Sequence, residues 1–103
     1  MLHALARLAL ALGVAAGALA PAHADRAREQ EDARKAVERG EALPLVELLG
    51  RIRAQLGGEL VGVSFERKHG RWVYEFKVVG EGGQIEEVYV DAATAEILKR
   101  EGR

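Results

Sequence analysis

Between Pro44 and Val90 the spacing of apolar residues changes period once, and that change restricts the chain to a helix followed by antiparallel strands. Leu45, Leu48, Leu49, Ile52 and Leu56 fall at i, i+3, i+4, i+7 and i+11, the stripe of an amphipathic helix. Pro44 suits the first helical position, where a missing N–H costs nothing. Gly50 costs about 1 kcal/mol in a helix interior, and Gly57-Gly58 end the helix. Past them the period falls to 2. Val61, Val63 and Phe65 alternate with Gly62, Ser64 and Glu66. Trp72, Tyr74, Phe76 and Val78 then alternate with Val73, Glu75, Lys77 and Val79.

Turn chemistry sets the register. His69-Gly70 is a two-residue hairpin turn, which opposes Lys68 to Arg71 and pairs Phe65 with Tyr74, Val63 with Phe76 and Val61 with Val78. For the second hairpin there are two options. Opposing Val79 to Gln84 sets Phe76 against Glu87 on the apolar face. Opposing Val79 to Ile85 sets Phe76 against Val88, Tyr74 against Val90 and Lys77 against Glu87, a favourable cross-strand pair. The second is preferred, because a one-residue slip turns every side chain to the wrong face. Asp91 to Ala95 forms a further turn, Glu96 to Lys99 a short last strand, and Arg100 to Arg103 a loose tail. The predicted fold is α+β and two-layered, with one main helix and a weaker N-terminal one on an antiparallel meander of three or four strands.

The first 24 residues read differently. Arg7 precedes Leu8 to Leu19, a run of Leu, Ala, Gly and Val, and Ala22-His23-Ala24 has the small-x-small form of a signal-peptidase site. A run of about a dozen residues is short for a bilayer that needs roughly twenty. A cleavable leader over 1–24 is expected, with a cut after Ala22 as the alternative cleavage site and an uncleaved anchor as the alternative fate. A lipid anchor on cysteine is excluded, since the chain has none. A charged helix over 25–40 follows, with Ala33, Ala36 and Val37 as its thin apolar side and Gly40 just past its end, and then the α+β domain over 41–103.

Loss of Arg7 with the leader leaves 14 of the 15 basic residues against 16 acidic ones, a net charge of −2. The signs are interspersed, which disfavours nucleic acid or an anionic membrane as a partner, so contact with a membrane is limited to the leader during export. Catalysis is also disfavoured. His69 is the only histidine after the leader and lies in a tight turn; Ser64 is the only serine. No nucleophile–base–orienter set can be assembled from them. Glu86 and Glu87 point to opposite faces of a strand, and Asp91 and Thr94 read as turn residues bonding local backbone, so neither a metal nor a cofactor is expected. Gly80 to Gly83 lacks the strand–helix setting of a phosphate loop.

Two strands carry a resemblance. Gly70-Arg71-Trp72-Val73-Tyr74-Glu75-Phe76-Lys77-Val78, followed by Ile85-Glu86-Glu87-Val88-Tyr89-Val90-Asp91-Ala92-Ala93-Thr94-Ala95-Glu96-Ile97-Leu98, resembles the PepSY domain over Leu43 to Lys99. Ala95 stands where that family usually has glycine. If the turn needs a positive φ, alanine costs about 1 kcal/mol there, and a different turn shape is the alternative. The resemblance implies a non-catalytic binding or inhibitory module of the cell envelope or exterior. Its implied partner is a peptidase or the outer domain of a membrane sensor. Self-association into a homodimer is the alternative function. Trp72, Tyr74 and Phe76 are read as core rather than as a stacking platform. The face away from the helix carries Val73, Val79, Ile85 and Tyr89. With Trp72 at the hairpin end, these five are the expected partner contacts.

Overall fold

A computed structural model describes residues 21–102. The leader expected over 1–24 lies outside the described residues except for Pro21 to Ala24, which form the first turn of helix α1 (Pro21–Glu38). The chain divides into two units, 1–31 and 32–103, with α1 running across the boundary. In the first unit the described residues after Pro21 are all exposed, and Arg28 pairs with Asp25 at 2.5 Å.

The second unit holds the apolar side of α1, where Ala33 and Ala36 are buried and Val37 packs against them. The helix ends in a Schellman arrangement. Gly40 has a φ of 74° and donates to the Val37 carbonyl at 3.1 Å, while Glu41 donates to that of Ala36 at 2.8 Å. The helix anticipated over 25–40 thus starts earlier than expected and stops at Glu38.

Helix α2 (Leu45–Leu56) buries Leu48, Ile52 and Leu56, with Leu45 and Leu49 half-buried beside them. Pro44 stands one position before the place the sequence suggested. Its ψ of 146° is extended, and its carbonyl accepts the first helical bond, from Leu48 at 3.0 Å. Gly57 caps the other end with a φ of 75°. Gly58 serves a separate need, because a Cβ there would lie 2.4 Å from the Val79 carbonyl oxygen. Only glycine lets the chain pass that close to the sheet.

Strands β1 (Glu59–Lys68), β2 (Arg71–Val79), β3 (Ile85–Asp91) and β4 (Ile97–Gly102) form one antiparallel meander in the order β1-β2-β3-β4. His69 and Gly70 have φ of 52° and 76°, as a type I′ turn requires. The pairs Lys68↔Arg71, Phe65↔Tyr74 and Val63↔Phe76 follow, as do Val79↔Ile85, Lys77↔Glu87, Phe76↔Val88 and Tyr74↔Val90. One expected pair is overturned. A bulge between Leu60 and Gly62 sets Leu60, not Val61, against Val78. Leu60 then packs against the core, and Val61 is left 52% exposed. The end of the chain also differs, since residues expected to form a loose tail continue β4 to Gly102. Arg100 holds them by pairing with Glu86 at 2.6 Å and donating to the Gln55 carbonyl in the last turn of α2.

Phe76, Leu48, Ile52, Val78, Val88 and Val90 form the centre of the core. An aromatic row runs along its edge: Phe65 stacks on Tyr74 at 4.3 Å and meets Trp72 at 5.0 Å. The loop between the helices is tied to the sheet at Leu43, which donates to Ala92 at 2.7 Å and accepts from the Tyr74 hydroxyl at 2.9 Å. The helices therefore cover one face of the sheet only.

Candidate functional site

The strand register places Glu66, Lys68, Val73, Glu75, Glu87, Tyr89, Lys99 and Glu101 on the sheet face opposite the helices. The five residues singled out from the sequence separate. Trp72 belongs to the helix-side face, where it is buried with Phe65, and the Arg67 guanidinium lies 4.5 Å from its ring centroid. Val73 faces outward but is only 3% exposed. Val79 and Ile85 oppose one another, half-buried, beside the second hairpin. Of the five, Val73 and Tyr89 line one cleft together.

That cleft has a volume of about 430 Å³, and its other lining residues are Lys68, His69, Arg71, Leu98 and Lys99. Each reaches it for a local reason. Lys68 and Arg71 flank the hairpin turn that carries His69. Tyr89 pairs with Lys99, while Val90 pairs with Ile97, so Leu98 is the extra residue of a bulge at the start of β4. The ring of Tyr89 lies between two ammonium groups, with Lys68 Nζ at 4.7 Å and Lys99 Nζ at 5.7 Å from its centroid.

Carboxylates surround the cleft without lining it. The Tyr89 hydroxyl donates to Glu87 Oε2 at 3.0 Å, with Glu101 Oε2 at 3.4 Å. Burial raises the Tyr89 pKa well above its ordinary value, assisted by that bond and by the negative charge of Glu75, Glu87 and Glu101. Glu75 is also raised, first by burial and then by hydrogen bonds with Glu66 and Glu87, with Lys68 opposing. Glu101 is lowered, chiefly by its bond to Lys99. The cations are steadied by pairs at 3.4 Å (Lys68–Glu66), 3.4 Å (Arg71 Nε–Asp91) and 2.5 Å (Lys99–Glu101). Asp91 is fixed in turn by accepting from the Ala93 and Thr94 amides at 2.8 and 3.3 Å.

The basic side chains of this cleft escaped the sequence reading. Lys68 and Arg71 were visible as hairpin neighbours, but Leu98 and Lys99 depend on a bulge that the residues do not announce. Among the described residues, no group of three His, Cys, Asp or Glu is placed to hold a metal ion. Nor is any helix among them long and apolar enough to cross a membrane.

Two helices on one face of a meander, and a basic, partly apolar cleft on the other, define a small two-layer α+β module. The chain belongs to the PepSY family, because the family model described as the peptidase propeptide and YPEB domain matches residues 29–101. Such domains are generally non-catalytic, propeptide-like regulatory modules that bind or regulate peptidases, and they are typically extracellular or periplasmic. No curated protein and no solved structure matches the chain at a significant level.

Proposed function

We propose that this protein is exported through a leader over 1–24 and acts outside the cytoplasm as a binding module that modulates or inhibits an envelope peptidase. The outer face of its sheet is the contact surface in this reading. The observation that carries it is the cleft around Tyr89, where the uncovered face combines concavity, an aromatic ring and fixed charge. Family membership supports the regulatory role. The test is capture and inhibition. Purified protein is mixed with an envelope fraction, bound peptidase is identified, and its activity is measured on a protein substrate with and without added domain. A peptidase that binds and slows is the expected result. If the fraction's peptidases neither bind nor change in rate, the reading fails.

Self-association is a second reading, and one observation favours it. On the sheet edge formed by β1, Val61 is 52% and Val63 45% exposed. An edge strand with apolar residues at its rim can pair with another strand. Light scattering across a concentration series tests it, with a dimer expected and its loss on Val63→Lys.

A further inference from the structure

The lining of the cleft specifies a ligand chemistry. We propose that the cleft bounded by Lys68, Arg71, Val73, Tyr89, Leu98 and Lys99 binds an acidic peptide segment, one with at least two Asp or Glu side chains beside an apolar residue. This deepens the reading of the outer sheet face as a partner-binding surface and rests on it.

Charge is the first argument. Three permanently or ordinarily cationic side chains line the cleft and no carboxylate does, although Glu66, Glu87, Asp91 and Glu101 all lie close by. Glu66, Asp91 and Glu101 each hold one cation from outside the lining, and Glu87 holds the Tyr89 hydroxyl. Arg71 engages Asp91 through Nε at 3.4 Å, and its side chain is about half exposed. A guanidinium bound at one edge can still take a carboxylate in a two-pronged geometry. Lys68 and Lys99 each use one ion pair and rest beside the Tyr89 ring, so an ammonium with three donors has bonding capacity left.

The second argument is distribution. The cations come from β1, β2 and β4, strands on both sides of the one that carries Tyr89. A segment with several acids matches that spread. Apolar lining supplies the third argument, since Val73, Leu98 and the Tyr89 ring would be wasted on a small inorganic anion but suit an aliphatic side chain between two acids. A volume of about 430 Å³ falls in the ordinary range for ligand clefts and exceeds that of one side chain. The site is also preorganised. Its ring is fixed by the Glu87 hydrogen bond, and Arg71 is steadied by an aspartate locked into a turn, which limits the ordering cost of binding.

The test uses the full chain and a fluorescein-labelled, end-capped peptide alternating glutamate and leucine, with its glutamine–leucine counterpart as control. Fluorescence anisotropy should show the acidic peptide binding at least about tenfold more tightly than the control, with affinity falling as salt rises. Arg71→Gln and Lys99→Gln should each reduce acidic-peptide affinity by about tenfold, the worth of one charge-assisted contact. Leu98→Ser should weaken both peptides. Val79→Ser, on the same face but outside the cleft, should change neither. Circular dichroism checks folding, and Lys99→Gln keeps the test decisive if loss of the Arg71–Asp91 pair disturbs the turn. Equal binding of the two peptides overturns the proposal, as does full acidic-peptide affinity in a folded Lys99→Gln protein. So does displacement of the acidic peptide by inorganic phosphate at equal carboxylate and phosphate concentration, which would mark a general anion site. If the peptide does not bind while envelope peptidase capture persists, the cleft assignment falls and the regulatory reading stands. If the peptide binds as described and no peptidase is captured, the assignment stands and the regulatory reading falls.

Discussion

Ala95 occupies the left-handed region, with a φ of 67°. The strained alternative for this turn is therefore the real one: the Asp91 to Ala95 turn keeps a glycine-like geometry with alanine in it. Asp91 accepts from Ala93 and Thr94, and Ala95 donates back to the Asp91 carbonyl at 2.8 Å, so the backbone has little freedom to relax. A left-handed alanine costs about 1–2 kcal/mol, part of which glycine forfeits through a more flexible unfolded chain. Ala95→Gly should raise stability by about 0.5–1 kcal/mol, read by urea denaturation, and an unchanged or lower midpoint would contradict the strain. Glu75 makes a second prediction at this scale. Its pKa is raised above the ordinary 4.5, so folding favours its protonated form. That contribution is present below the ordinary value and is lost as pH rises through the folded one. Glu75→Gln, which keeps hydrogen-bonding capacity without charge, should therefore melt higher than the wild type at pH 7. The gap should close as pH falls below 4.5. Glu101 works in the opposite sense, since its lowered pKa adds stability that disappears on acidification. The comparison must therefore be made between the two proteins at each pH, not from the wild-type curve alone.

At the scale of elements, both hairpins were legible because turn residues and apolar alternation demanded the same register. Only one offset put Phe76 against Val63 and Val88 together. The bulge in β1 was not legible. Leu60, Val61 and Val63 are all acceptable strand residues, and nothing local says which of Leu60 and Val61 turns inward. Contact with Val78 decides it in the folded protein. Leu60→Ala should consequently destabilise by about 2–3 kcal/mol, below the range for a fully buried leucine at its upper end, while Val61→Ala should cost less than about 0.5 kcal/mol. Equal losses would mean that the unbulged pairing is populated. The last strand was legible, but its continuation from Arg100 to Gly102 was not, for a related reason. Arg100 to Gly102 is too charged to look like a strand, yet Arg100 faces the helix layer and is held by Glu86 and by the end of α2. Its charged side chains conceal a tertiary contact between strand and helix. Glu87 shows the same limit. Strand parity gave it the outer face correctly, but parity could not foresee that neighbouring side chains leave it only 7% exposed.

For the whole molecule, the described residues of the cysteine-free chain form one modest core, and the proposed contact face lies on the side that the helices leave open. A small domain of this kind folds with little stability in reserve. Phe76, fully buried at the centre, is the most sensitive position: Phe76→Ala should cost about 3–5 kcal/mol and leave the protein largely unfolded at 37 °C. The same narrow margin makes ligand binding readable as stability. A ligand that binds only the folded state adds RT ln(1 + [L]/Kd), which is about 2.7 kcal/mol at a hundredfold excess over Kd. In a domain with so little reserve, that increment should move the melting midpoint by several degrees. The acidic peptide should therefore raise the midpoint of the wild type in proportion to the logarithm of its concentration, and its glutamine counterpart should not. Adding salt should shrink the shift, because the cations are only partly buried. The Leu60→Ala protein, weakened at a distance from the cleft, should show the same shift from a lower starting point. That last comparison separates the two roles of the sheet, since a shift that vanished in Leu60→Ala would mean that core and cleft are coupled and that the open face is not an independent binding surface.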